Sequence, residues 1–334
     1  MSDSRVFPAG DGAFEVNTNN GRVTSCTVAG SPNLFFDDGK GAGGDRLWVA
    51  PEVAYYWPSL EDARADPVGT AATPAAVDPG TWAVTDTWDA EAAEGEAAAP
   101  GGLSLEQAAT LTDARDGKRI ELAMKRSFST AAAPHGLPDG VLCCSFFVVN
   151  ELTATGGDDG AVAAAWDILQ VPPTGTLVCP TTQRVKPRSY YEPFGDKHVV
   201  ADERRVRFLI DTTRRVKMGL RPEHTTGRMG YYRPLAGGES SLIVRVFPVV
   251  PGERYVDVPR DHPAEQRSGG DALQAYNDDL TFGAFGEMEF VSPAVTVGGR
   301  AAQHTTCVTH VLVGPDAGVR AAGGMLLGCG VEAL

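Results

Sequence analysis

Glycine and proline together make up 62 of the 334 residues, and breaks that frequent leave no room for long helices. The stretches between them are short and rich in strand formers. "AFEVNT", "RVTSCTVAG", "TWAVTDTW", "RIELAMKRSFS", "VLCCSFFVVN", "RVRFLIDTT", "RVKMGLR", "SLIVRVFPVV", "GEMEFVS" and "TTCVTHVLV" each run about 6 to 10 residues with partial period-two alternation. Only "SLEDARAD" reads as briefly helical. The class is all-β, and a large sandwich commonly uses this much chain as one unit. We expect a single domain over residues 1–334, with Ala/Gly/Pro/Asp-rich loop insertions near 61–80, 89–102, 131–140 and 154–164.

A net charge of −14 and a pI near 4.9 provide no basic footprint, so nucleic acid is not an expected partner. No window approaches 18 uninterrupted apolar residues, and "MSDSRVFPAGDGAFEV" has no charged-then-apolar leader. The expectation is a soluble cytoplasmic protein with no membrane partner, a monomer or homodimer. Its six cysteines then read as reduced, buried small hydrophobes.

Metal and cofactor motifs are missing. His304 and His310 share a strand face, but six residues at ~3.3 Å each separate them by roughly 20 Å. There is no HExxH, CxxC, EF-hand or GxSxG pattern, and "GAGGDRLWVAPE" lacks the lysine and hydroxyl that close a phosphate loop. No metal site from local sequence and no cofactor are expected.

Three segments carry groups suited to a polar ligand. In "GGDRLW", Gly43 and Gly44 permit a tight turn that presents Asp45, Arg46 and Trp48 at a strand start, a mixture suited to sugar recognition or to a surface ion pair beside a packed ring. In "RRVKMGLRPEH", alternation sets Arg215, Lys217, Gly219 and Arg221 against Val216, Met218 and Leu220, either a solvated face or the basic wall of a cleft. In "FGEMEFVSPA", Glu287 and Glu289 share one side of a strand and Met288 and Phe290 the other. Two carboxylates about 7 Å apart raise the pKa of at least one when partly buried, and do nothing of the kind on an exposed face. Upstream, Tyr276 and Asn277 supply an aromatic and a short hydrogen-bonding group.

"GGDRLWVAPE" (43–52), "RVKMGLRPE" (215–223), "GGDALQAYND" (269–278), "FGEMEFVSPA" (285–294) and "GGRAAQHTTCVTH" (298–310), in this order, resemble an uncharacterised bacterial family of the galactose-mutarotase-like superfamily, which includes aldose 1-epimerases. The resemblance implies a β-supersandwich of two large, mostly antiparallel sheets with a sugar-sized cleft. It further implies a late-strand glutamate as base, here Glu287 or Glu289, an N-terminal arginine resembled by Arg46, and a histidine acid. The middle third has no histidine where the epimerases carry theirs, and Trp166, Asp167 and Gln170 stand there instead.

The expectation is an enzyme of the aldose epimerase or mutarotase type acting on a carbohydrate or polyol. Its catalytic candidates are Glu287, Glu289 and His304, and its substrate-binding candidates Arg46, Trp48, Glu52, Lys217, Arg221, Tyr276 and Asn277. A lyase on the same fold and a non-catalytic carbohydrate-binding protein are the alternatives.

Overall fold

The computed structural model describes residues 3–39, 43–89, 101–191, 193–195, 197–261 and 269–332. Two ten-stranded antiparallel sheets dominate it. In spatial order, the first contains β1 (Ser4–Ala9), β2 (Gly12–Asn17), β3 (Arg22–Val28), β4 (Asp45–Ala50), β9 (Val162–Val171), β18 (Gly286–Val291), β17 (Leu273–Asn277), β14 (Val216–Leu220) and β11 (Arg188–Ser189), with β19 (Val295–Thr296) paired to β9. The second contains β12 (Val199–Ala201), β13 (Arg205–Ile210), β10 (Gly175–Pro180), β15 (Arg228–Pro234), β16 (Glu239–Val246), β20 (Ala302–Pro315), β8 (Leu142–Gly157), β7 (Arg119–Thr130), β6 (Gly102–Thr112) and β5 (Ala83–Trp88).

Side-chain alternation builds the core between the two sheets. Phe14 of β2 stacks on Phe146 of β8 with centroids 4.6 Å apart, and Phe290 of β18 stacks on Phe247 beyond β16, also at 4.6 Å. Within this apolar layer lies a charged quartet. Asp45 and Asp167 from the first sheet meet Arg126 and Arg245 from the second, all at most 1 % exposed. Arg126 reaches Asp167 at 3.1 Å and also pairs with Asp45, while Arg245 reaches Asp45 at 2.7 Å and also pairs with Asp167. Asn150 completes the network, donating to Asp167 at 2.6 Å and accepting from Arg126 at 2.9 Å. Two cations balance two anions, which is what makes burial at this depth tolerable.

Among the described residues, three α-helices accompany the sheets: α1 (Glu52–Tyr55), α2 (Leu60–Ala65) and α3 (Asp316–Leu327). The helix read in "SLEDARAD" is α2, capped by Ser59, which accepts from the Asp62 N–H. α3 corrects the expectation of a single helix. Its glycine-rich sequence obscures a helical face on which Val319, Ala322 and Leu327 pack against the outer side of the second sheet. Gly323 permits the approach, since a Cβ there would meet Leu242 of β16 at 3.1 Å and Val331, beyond the helix, at 2.6 Å.

The insertion expected near 154–164 is mostly strand, because β8 extends to Gly157 and β9 begins at Val162. Of 89–102, residues 90–100 lie outside the described residues, and Gly102 opens β6. Residues 131–140 form an irregular connection, whereas 61–80 contains α2 and an irregular run behind it.

Candidate active site

The site occupies the outer face of the first sheet, where β4, β9, β18, β17 and β14 lie side by side. Register fixes what that face presents. Gln170, Glu287, Tyr276 and Lys217 are successive cross-strand partners, and Arg46, Ile168, Glu289, Gln274 and Gly219 form the adjacent row. A one-residue slip of β18 would replace its two glutamates with Met288 and Phe290.

Arg46 and Asp45 part company at the start of β4. Gly43 and Gly44, at φ 110° and 71°, make the turn, and a Cβ on Gly44 would meet the Val23 carbonyl at 2.2 Å. Asp45 then enters the quartet, while Arg46 and Trp48 face outward. The surface ion pair between neighbours does not form, because adjacent strand residues point to opposite faces.

Glu287 lines a cleft of about 280 Å³. Its Oε1 accepts from Arg46 Nη2 at 2.6 Å and from Gln170 Nε2 at 2.8 Å. Oε2 has no hydrogen-bond donor among the described residues. Around it stand Trp48, Tyr56, Trp57, Trp166, Tyr191 and Tyr276. Arg46 lies 4.5 Å over the Trp48 ring, and the Trp48 indole donates to Asp78 Oδ2 at 2.7 Å. Burial alone raises the Asp78 pKa, but Arg22, whose Nη2 donates to both carboxyl oxygens at 2.6 Å, outweighs it and holds the carboxyl below its usual range. Tyr276 donates to Asp278 at 2.6 Å.

Glu289 has a different position. It is fully buried behind the cleft, where its Oε2 accepts from the Trp166 indole at 2.8 Å and pairs with Lys217 at 3.1 Å. Lys217 lines the cleft, reaches Glu52 at 3.2 Å and sits 4.3 Å over Trp166. One ammonium thus serves two carboxylates. Burial raises the Glu289 pKa to about 8 against the opposing charge of Lys217, with Glu287 and Glu52 adding to the rise. Burial disfavours the Lys217 cation, yet Glu289 and Glu52 outweigh it and hold its pKa well above the usual lysine value. Glu52 opens α1 at the cleft wall, its N–H donating to Asp257 at 2.6 Å.

Of the ten residues singled out from the sequence, Arg46, Trp48, Glu52, Lys217, Tyr276 and Glu287 line one cleft, with Glu289 directly behind it. Three lie elsewhere. Asn277 points to the opposite face of β17 from Tyr276, where its Oδ1 accepts from the Asp211 and Thr212 N–H groups at 3.0 Å each. Arg221 is half exposed beyond β14, pairs with Glu223 at 2.7 Å and lines a separate, wider depression with Arg188 and Asp271. His304 is exposed on β20 of the second sheet, beside Thr306 at 3.2 Å. No histidine lines the cleft among the described residues, and His262 lies outside them.

Sequence reading missed Gln170 as a site residue, although alternation in "AWDILQV" puts Trp166 and Gln170 on one face. Tyr56, Trp57, Tyr191 and Phe282 arrive from connections, which have no periodicity to mark them.

Two large antiparallel sheets packed face to face form the galactose-mutarotase-like supersandwich. A putative aldose 1-epimerase from Escherichia coli K12 shares the fold at a TM-score of 0.56 and 11% identity, over 92% of this chain and 99% of its own. A galactose mutarotase-like protein from Lactobacillus casei aligns over 92% of this chain and 99% of its own, at 9% identity and a TM-score of 0.49. Within that fold, residues 38–333 match the family of unknown function DUF6786, and the chain belongs to it. No curated protein matches the sequence. Among the described residues, no helix is long and apolar enough to cross a membrane.

Proposed function

We propose that the cleft binds a carbohydrate or sugar-like polyol and that the protein is an epimerase or mutarotase acting by proton transfer, with Glu287 as the base. The observation that carries this is the asymmetric tethering of Glu287. Arg46 and Gln170 hold Oε1, while Oε2 has no donor among the described residues in a cleft walled by aromatic rings. Such rings stack on the apolar C–H faces of a sugar, and the volume lies just under the ~300–1,000 Å³ typical of small-molecule sites.

In this reading Glu287 takes the proton from the anomeric hydroxyl. The C1–O1 bond gains carbonyl character as the bond from C1 to the ring oxygen breaks. Lys217, whose ammonium pairs with Glu52 at 3.2 Å, gives the ring oxygen its proton. Rotation about C1–C2 and the reverse transfers close the other anomer, leaving both groups as they began. Lys217 fills the role that a histidine takes in the resembled epimerases.

The absence of a histidine from the cleft among the described residues favours a second reading, a carbohydrate-binding protein without turnover. Magnetisation-exchange NMR across a panel of aldoses separates the two. Accelerated anomeric exchange that Glu287→Gln lowers by ~10²–10⁴-fold supports the enzyme. Binding without acceleration of any bound sugar eliminates it in favour of the binding protein.

A further inference from the structure

The cleft continues past its aromatic wall. A second depression of about 310 Å³ shares Glu52, Trp57, Tyr191 and Phe282 with it and adds Arg215 and Arg260. The charged groups there are unequal. Glu52 pairs with Lys217 at 3.2 Å. Arg260 donates to the Ala63 carbonyl and pairs with Asp261 at 3.2 Å.

Arg215 has no hydrogen bond or ion pair among the described residues. It is half-buried, and its guanidinium lies 5.4 Å over the Tyr191 ring. Asp279, whose pKa it helps to lower after the Thr281 hydroxyl, is exposed and bonds that hydroxyl at 2.5 Å. A guanidinium that lies over an aromatic ring and makes no ion pair has N–H groups available for a planar or tetrahedral oxyanion. In a chain with a net charge of −14, a cation in the second depression with no ion pair among the described residues calls for a partner.

We infer that the substrate is an anionic sugar whose ring occupies the cleft and whose carboxylate or phosphate lies in the second depression against Arg215. This rests on the sugar reading of the cleft. Tyr191 then serves both parts, as a wall to the ring and as the platform that aims Arg215.

The test is calorimetric titration of the full chain with glucose and galactose, the matching uronic acids and the matching 6-phosphates. Wild type is compared with Arg215→Gln and with Arg184→Gln, which removes an exposed positive charge paired with Glu203. One anionic class is expected to bind ~10–100-fold tighter than its parent aldose, as for a hydrogen bond to a charged group. Which class does so tells carboxylate from phosphate. Arg215→Gln is expected to bring the ratio within about twofold of one, with Arg184→Gln retaining it. A neutral aldose that binds as tightly as both of its anionic forms overturns the inference and leaves the cleft reading standing. A preference that survives Arg215→Gln overturns the assignment to Arg215. Failure of every probe to bind overturns both readings.

Discussion

Arg46 and Glu287 are 241 positions apart in the chain and 2.6 Å apart in the cleft. They sit on β4 and β18, which are not neighbours, and β9 between them contributes Gln170 to the same Oε1. Two donors on one oxygen orient a carboxylate without consuming its second oxygen, the arrangement a base requires. Burial and the ion pair act in opposition on Arg46, and burial prevails to lower its pKa.

Arg46→Met removes the charged donor and leaves Gln170. Anomeric exchange is expected to fall by ~10²-fold, comparable to the loss of one preorganised donor. Exchange NMR on a variant whose melting temperature is checked in parallel measures it. Activity within threefold of wild type would show that Arg46 does not orient the base.

Glu289 sets a pH dependence of stability. Folded, its pKa is about 8; unfolded, it returns to an ordinary value near 4.5. Between those values the native state retains a proton that the unfolded chain has released, so stability falls as pH rises through this window and levels off above it. The slope from one such group reaches ~1.4 kcal/mol per pH unit. Buried Asp271, raised to about 7 by burial against Arg188, tilts stability in the same direction. Urea denaturation from pH 5 to 8 is therefore expected to show a shallower decline in Glu289→Gln than in wild type, and equal slopes would refute the shift.

The quartet of Asp45, Asp167, Arg126 and Arg245 is balanced only while complete. Arg126→Met would leave an uncompensated carboxylate between the sheets and is expected to cost about 3–5 kcal/mol. Urea midpoints at constant m-value report the loss, and a change under ~1 kcal/mol would mean that the charges are not jointly compensated.

His304 and Arg221 serve as controls. His304→Ala and Arg221→Ala, on exposed positions away from the cleft, are expected to leave anomeric exchange within about twofold of wild type. A tenfold loss in either would mean that the cleft extends to surfaces it does not touch here.

What the sequence determined by itself was the class of fold and the facing of individual strands. Dense glycine and proline limited the chain to short strands, and period-two alternation put Glu287 with Glu289 and Lys217 with Gly219 before any pairing was known. Ordered motifs then pointed to the superfamily. Pairing between strands was not legible, and it separated residues that looked equivalent. Glu287 and Glu289 share one face, yet the neighbouring strands place one at the cleft surface and the other beneath Trp166 and Lys217. Asn277 and Tyr276 are adjacent, yet the pleat sends them to opposite sides. The tertiary structure alone decided which polar groups are dry, which are paired and which remain open to a ligand, because burial and long-range charge depend on what β9, β14 and the connecting loops bring alongside.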